Sequence, residues 1–113
     1  MQPLVTSAQL DAVLRAPVAL VYKHSTRCPI ATAAYEEVEQ LLRVRPDAPV
    51  WIVDVIAQRP LSREVAKRTG VEHESPQAIL LVGGQAVYDA SHFRVRADDL
   101  ARELDAAEAG VRD

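Results

Sequence analysis

The only cysteine of the chain stands where a thiol could act as a nucleophile. Cys28 is followed directly by Pro29 and is preceded by the polar residues 24–27, "HSTR". Proline is favoured at the first position of a helix, because the N–H group that it lacks would be unpaired there. The pattern therefore predicts that Cys28 is the N-cap residue of a helix.

An N-cap position favours the reactive form of a cysteine. The free amides of the first turn, here those of Ile30 and Ala31, and the positive end of the helix dipole stabilise a thiolate. The charges of Lys23 and Arg27 are expected to add positive potential. The alternative is a buried core residue, because unpaired cysteine is among the most buried residue types. The polar surroundings of Cys28 favour the nucleophile.

A single cysteine also limits the kind of redox chemistry. The chain can form neither an internal disulfide nor a dithiol couple, so any disulfide at Cys28 needs a partner molecule. A zinc site that combined Cys28 with His24, His73 or His92 would lack the close ligand spacings of structural zinc sites. We predict no metal site and no tightly bound cofactor.

The elements around Cys28 follow from apolar periodicity. Apolar residues recur at helical spacing from Ile30 to Leu42, with charged residues between them, which predicts an amphipathic helix. The segments 18–22 and 50–55 are apolar on nearly every position, as in strands that are covered on both faces. A helix between two such strands forms a right-handed βαβ unit, so the strands should be parallel neighbours.

The remaining elements are predicted from caps, apolar runs and glycine turns. They are an edge strand at 4–6, a helix capped by Ser7, a short helix capped by Ser62 and ended by Gly70, a strand at 77–82, a strand at 85–91 after the turn Gly83-Gly84, and a last helix marked by Leu100 and Leu104. This is the thioredoxin order of elements, although ferredoxin-like folds share parts of it. We predict an α/β, thioredoxin-like fold with a central mixed sheet of four to five strands flanked by helices.

Composition limits the number of domains and the kinds of partner that we expect. A length of 113 residues with 49% hydrophobic residues fits one domain over 1–113. The net charge is −3 with no basic run, so no nucleic-acid partner is predicted. The sequence has neither a signal-peptide pattern nor an apolar stretch of membrane-spanning length, so we expect a cytoplasmic protein without membrane association.

Ser75 and Pro76 form the second chemical feature, directly before a predicted core strand. Only about 5 to 6% of such bonds are cis in folded proteins, so the residues alone favour an ordinary strand entry. In the thioredoxin order, however, this loop lies beside the cysteine. That placement favours a cis bond that shapes the site.

With these residues taken together, the sequence resembles the monothiol bacilliredoxin family of the bacillithiol system, a YtxJ-type group of the thioredoxin-like superfamily. The resemblance spans nearly the whole chain, through "YKHSTRCPI", "TGVEHESPQ" and the "GG" turn before "SH". It implies that Cys28 is the redox cysteine and that Pro76 is the cis-proline. The implied activity is removal of bacillithiol from mixed disulfides on proteins, with bacillithiolated proteins as partners and bacillithiol as co-substrate. The Cys28–bacillithiol disulfide would be resolved by bacillithiol or a similar low-molecular-weight thiol. The family commonly has serine where this chain has Ala31, which removes one expected hydroxyl donor to the sulfur.

Residues around Cys28 are candidates for substrate binding. They are Lys23, His24, Arg27, Pro29, Ile30, Ser75 and Pro76. His24 could bond a substrate, although a lone surface histidine is more often only solvated. Ser75 is expected to act through its main chain, by pairing with an extended substrate. His73 and Glu74 fit a solvated loop as well as they fit contacts with the amine and carboxylates of bacillithiol.

Two other functions fit the same pattern. In an iron–sulfur carrier, two subunits would each supply Cys28 and two small thiols would complete the ligands. In a thioredoxin-fold binding module, the cis-proline groove would hold partner proteins without turnover. Thiol exchange is the preferred hypothesis.

Overall fold

The computed structural model describes residues 1–112, which form one mixed sheet with helices on both faces. In chain order the elements are β1 (Gln2–Pro3), α1 (Ser7–Arg15), β2 (Val18–His24), α2 (Pro29–Val44), β3 (Val50–Asp54), α3 (Arg59–Thr69), β4 (Gln77–Val82), β5 (Gln85–Ser91), a 3-10 turn (His92–Arg94) and α4 (Ala97–Arg112). The strand order is β1-β3-β2-β4-β5. Strand β2 is parallel to β3, as the predicted βαβ unit requires, and β4 and β5 form the predicted antiparallel hairpin. Strand β2 also pairs with β4, in antiparallel orientation.

Strand β2 lies at the centre of the sheet and separates two apolar clusters. Tyr22 packs in the cluster that contains Val38 of α2 and Leu104 of α4. Val21, its neighbour in the chain, packs in the cluster that contains Val65 of α3. Since successive side chains of a strand point to opposite faces, a strand covered on both sides must be apolar at nearly every position. This explains the uninterrupted apolar run of β2.

Three predicted boundaries are wrong. The N-cap of α1 is Thr6 rather than Ser7, because Thr6 Oγ1 accepts a hydrogen bond from the Gln9 amide while the Gln9 side chain accepts one from the Thr6 amide, both at 3.1 Å. Helix α3 begins at Arg59, so Ser62 is a buried residue within it and not its cap. The edge strand is Gln2–Pro3 and not 4–6, since Leu4 already turns its side chain into the core.

The predicted glycine positions are confirmed. Gly70 ends α3 with φ 74°, and Gly83 and Gly84 make the β4–β5 turn with φ 56° and 81°. These left-handed conformations favour glycine. At Gly84 a side chain is also excluded by space, because a Cβ atom would lie 2.6 Å from the Leu14 carbonyl oxygen.

The candidate site residues lie together at the edge of the sheet that is formed by strand ends. The parallel strands β2 and β3 both end there, and β4 begins there. The segment 25–28, the start of α3 and the loop 73–76 therefore meet at this edge. Within residues 1–112, no helix is long and apolar enough to cross a bilayer.

Candidate functional site

Cys28 occupies the predicted N-cap of α2. Its backbone is extended, with φ −113° and ψ 121°, and Pro29 takes the first helical position. The Cys28 amide donates to the Ser25 carbonyl oxygen at 3.4 Å, which closes a short turn after β2. The residue is partly exposed rather than sealed in the core, as a cysteine that reacts with a second molecule requires.

The expected hydrogen bonds from the helix amides to the sulfur are absent from residues 1–112. The Cys28 side chain makes no capping bond, and the Ala31 amide donates instead to the main-chain oxygen of Cys28, at 3.0 Å. The first turn is thus closed by the backbone. The helix dipole remains as an electrostatic contribution that favours a thiolate, and the first turn of α2 contains no acidic residue to oppose it.

The Ser75–Pro76 bond is cis and lies opposite the end of β2. Lys23 pairs with Gln77 in the β2–β4 register, so Pro76 is brought next to His24. The carbonyl oxygen of Pro76 accepts a hydrogen bond from the His92 amide at 2.9 Å.

Ser75 keeps its polar groups free of partners within the described chain. Its Oγ atom is buried and makes no hydrogen bond with residues 1–112. Its main-chain groups make no hydrogen bond with other main-chain atoms of that range. The segment before Pro76 can therefore accept the main-chain bonds of an extended peptide.

Tyr22, His24 and Tyr35 form an aromatic cluster at the base of α2. The Tyr22 hydroxyl lies 3.2 Å from the Ala31 carbonyl oxygen and 2.9 Å from His24 Nδ1, and the rings of His24 and Tyr35 are 5.1 Å apart. The carbonyl can only accept, so the hydroxyl donates to Ala31 and accepts from a proton on His24 Nδ1. This fixes the tautomer of a neutral His24 and ties the end of β2 to the first turn of α2.

Burial determines the protonation of this cluster. It raises the pKa of Tyr22, and nearby Tyr35 and Cys28 raise it further. It lowers the pKa of His24, with partial opposition from the charge of Asp54, so His24 is neutral at neutral pH. His24 is thus a half-buried, bonded residue and not the solvated surface histidine that the sequence favoured.

Lys23 points to the other face of the sheet. Its side chain is 0% exposed, and its Nζ atom lies 3.0 Å from His73 Nδ1. Burial lowers the pKa of Lys23 from 10.5 to about 8. Lys23 is therefore not an exposed charge beside Cys28, and its contact with His73 went unnoticed in the sequence because 50 residues separate the two.

The other predicted binding residues lie around Cys28. Arg27 and Pro29 are exposed, and Ile30 is partly exposed. Within residues 1–112, no cluster of three or more histidine, cysteine, aspartate or glutamate side chains could hold a metal ion. Of the three histidines considered with Cys28, His24 is bonded to Tyr22 on one face of the sheet and His73 to Lys23 on the other, and His92 Nε2 lies 3.8 Å from Glu74 Oε2.

The sheet order, the cysteine at the N-cap after the central strand and the adjacent cis-proline define a thioredoxin-like thiol–disulfide oxidoreductase. The sequence model of the family described as Monothiol bacilliredoxin BrxC matches residues 2–100, and the chain belongs to this family. Its role is therefore in thiol redox chemistry.

Solved structures agree with the predicted fold. A proposed oxidoreductase with a thioredoxin fold is 34% identical, with a TM-score of 0.83 over 95% of this chain and 92% of that one. A mutant thioredoxin from Halobacterium salinarum is 20% identical, with a TM-score of 0.74 over 94% and 88%. Thioredoxin from Fasciola hepatica is 17% identical, with a TM-score of 0.72 over 95% and 99%. The last two show the fold alone.

Proposed function

We propose that the protein removes bacillithiol from mixed disulfides on other proteins, with Cys28 as the nucleophile. The observation that carries this proposal is the partly exposed Cys28 at the N-cap of α2, at the same edge of the sheet as the cis Ser75–Pro76 bond. The family match supplies the thiol redox class. The choice of bacillithiol as the thiol comes from the family resemblance.

The reaction consists of two thiol–disulfide exchanges. In the first, the Cys28 thiolate attacks the bacillithiol sulfur of the mixed disulfide, a Cys28–bacillithiol bond forms, and the protein thiolate leaves and takes up a proton. In the second, the thiolate of another bacillithiol attacks that same bacillithiol sulfur, which gives bacillithiol disulfide and restores the Cys28 thiolate. The chain has no second cysteine, so this outside thiol is required.

The surrounding residues have distinct roles in this proposal. The main chain of Ser75 pairs with the substrate segment next to its disulfide, and Arg27, Pro29 and Ile30 form the surface around the sulfur. Tyr22 holds the first turn of α2 through the Ala31 carbonyl, and thereby holds Cys28. The dipole of α2 stabilises the thiolate in place of the hydroxyl that Ala31 lacks.

The test is transfer of bacillithiol from a bacillithiolated protein, followed by mass spectrometry. The wild type should gain the mass of one bacillithiol, and Cys28→Ala should gain none. Thr26→Ala, a change at an exposed residue of the same loop, is the matched control and should behave as the wild type. Equal loss of bacillithiol from the substrate with wild type and Cys28→Ala, or no loss with either, would overturn the proposal.

The thiol preference is tested separately. The same protein is prepared with glutathione in place of bacillithiol, and the two rates of transfer to Cys28 are compared. The bacillithiol adduct should react faster. Equal rates would contradict the choice of bacillithiol while leaving exchange at Cys28 intact.

A further inference from the structure

A cleft opens at the edge of the sheet that holds Cys28, on the face that α3 covers. Its volume is about 300 Å³, and it is lined by Val55, Ile56, Arg59, Ser62, Arg63 and His73. We call it the cationic cleft. It lies between the start of α3 and the loop that leads to Ser75–Pro76.

The arginines of this cleft have no carboxylate partner. Arg59 and Arg63 lie one turn apart on α3, and neither forms an ion pair with an acidic side chain of residues 1–112. Arg68 on the same helix differs, because it pairs with both Asp11 and Glu64. The two arginines that line the cleft are thus exposed and without an ion pair, whereas the charge of Arg68 is neutralised.

A buried cation, Lys23, contacts the lining residue His73. Lys23 is fully buried, and its only hydrogen bond within residues 1–112 goes to His73 Nδ1, which also lies 3.4 Å from Ser62 Oγ. Buried lysines are almost never found without a paired charge. The missing counter-charge is an independent sign that this cleft is built for an anion.

The nearby acidic groups are already engaged. Asp54 Oδ1 accepts the amides of Ile56 and Ala57 at 2.9 and 3.0 Å. Glu74 Oε2 lies 3.8 Å from His92 Nε2, and Glu74 does not line the cleft. No carboxylate of residues 1–112 forms an ion pair with Lys23, Arg59 or Arg63, so a bound anion would supply the partner that these cations lack.

His73 adds a neutral donor to the cleft. Burial, together with the charges of Lys23 and Arg63, lowers the pKa of His73, and the charge of Glu74 opposes this shift in part. Since Nδ1 accepts from the Lys23 ammonium, the proton of the neutral ring is on Nε2. Two guanidinium groups and one imidazole N–H match the oxygens of a carboxylate.

We propose that the cationic cleft binds a carboxylate group of the low-molecular-weight thiol whose sulfur reacts at Cys28. This inference rests on the proposed function. The cleft and Cys28 share one edge of the sheet, so a ligand of extended shape can reach both. A carboxylate-bearing thiol would then be preferred to an uncharged one.

The exchange test uses one test protein with two different adducts. One adduct carries glutathione, whose two carboxylates lie at the ends of an extended tripeptide, and the other carries glutathione diethyl ester, in which both carboxylates are blocked. The wild type should transfer glutathione faster than its ester. In R59Q/R63Q this preference should be about tenfold smaller, and the rate for the ester should be unchanged. Arg15→Gln, an exposed arginine without an ion pair at the other edge of the sheet, is the control and should keep the preference.

The outcomes separate this inference from the proposed function. Equal wild-type rates for the two adducts would overturn the carboxylate subsite and leave exchange at Cys28 standing. Equal slowing of both adducts in R59Q/R63Q would also overturn it, because the arginines would then act on folding or chemistry.

A binding experiment tests the cleft without thiol exchange. Succinate is titrated into Cys28→Ser, and the amide NMR shifts of α3 and of residues 72–75 are followed. These amides should shift with a Kd that is about tenfold weaker in Cys28→Ser carrying R59Q/R63Q. If succinate does not shift them, or binds both proteins equally, the cleft is not a carboxylate site, whatever the exchange assay gives.

Discussion

At the end of the central strand β2, the two faces of the sheet differ in whether their buried polar groups have partners. On the α2 side, the Tyr22 hydroxyl is bonded both to His24 and to the Ala31 carbonyl, and burial keeps the ring of His24 neutral. On the α3 side, Lys23 is just as buried, but its charge has no opposite partner among residues 1–112. Consecutive residues of β2 therefore create two different environments at one edge.

This difference separates positioning from recognition. A satisfied hydrogen-bond network stabilises one geometry, which suits the side that holds the reacting sulfur. An unpaired buried cation lowers stability but produces a strong local field, which suits a side that recognises anions. The hydrogen-bond network and the buried lysine can act at one edge because they lie on opposite faces of the sheet. The charge of Lys23 therefore does not neutralise groups near Cys28.

The largest effect should come from removing the sulfur on the α2 side. Cys28→Ser should lower the rate of thiol transfer by at least about 1000-fold, because the nucleophile itself is lost. The rate is measured with a fluorescent mixed disulfide, and thermal unfolding of the variant checks that the fold is unchanged. Residual transfer within tenfold of the wild type would mean that the exchange does not pass through Cys28.

The next largest effect should come from the α3 side, and it concerns stability. Lys23→Met removes a buried charge and keeps an unbranched side chain. The free energy of unfolding at pH 7 should therefore rise by about 1 to 3 kcal/mol. Urea denaturation measures it. Lys67→Met, at an exposed lysine of α3, is the matched control and should change stability by less than about 0.5 kcal/mol.

The same substitution should change the pH dependence of stability. The pKa of Lys23 is about 8 in the fold and 10.5 ordinarily, so between these values the unfolded chain binds more protons. The contribution of Lys23 to the free energy of unfolding then rises with pH across this window, by on the order of 3 kcal/mol. Lys23→Met should lack that rise. A variant less stable than the wild type at pH 7 would show that the charge is compensated after all.

Breaking the network on the α2 side should have an effect of similar size and opposite sign. Tyr22→Phe leaves the Ala31 carbonyl and His24 Nδ1 without their shared partner, which should cost about 1 to 3 kcal/mol. Urea denaturation compares it with Tyr88→Phe, whose hydroxyl makes no hydrogen bond within residues 1–112. Similar losses in the two variants would indicate that the network contributes nothing specific.

Local patterns were sufficient to predict most of the fold. Strands β4 and β5 were predicted at their observed bounds, because an apolar run and a two-glycine turn leave little choice. The starts of α1 and α3 were misjudged because several residues compete to cap a helix. Thr6 and Gln9 cap each other in α1, and Pro60 in the first turn of α3 indicates that this helix begins before Ser62.

Only those features of the site that depend on residues adjacent in the chain could be predicted from the sequence. The position of Cys28 follows from its proline neighbour, and the place of Pro76 from the strand after it. The contact of Lys23 with His73 and the bonds of Tyr22 depend on which face each side chain takes and on which loop lies there. One signal was present, because a lysine that continues the apolar run of β2 indicates a buried charge.

The smallest effect should come from Ser75, whose hydroxyl is buried at the same edge without a partner in residues 1–112. Ser75→Ala removes a polar group that the fold leaves unsatisfied, so stability should stay constant or rise by up to about 1 kcal/mol. Ser62→Ala is the matched comparison, because that buried hydroxyl lies within 3.4 Å of His73 Nδ1 and its loss should cost about 1 kcal/mol.

The exchange rate of Ser75→Ala then distinguishes two ways of holding the substrate. If the main chain of Ser75 pairs with the substrate, the rate should stay within about twofold of the wild type, since alanine keeps the N–H and C=O groups. A loss of more than about tenfold would mean that the hydroxyl finds its partner in the bound substrate. In that case the unpaired oxygen, like the unpaired charge of Lys23, would be a group that the fold leaves for a ligand to satisfy.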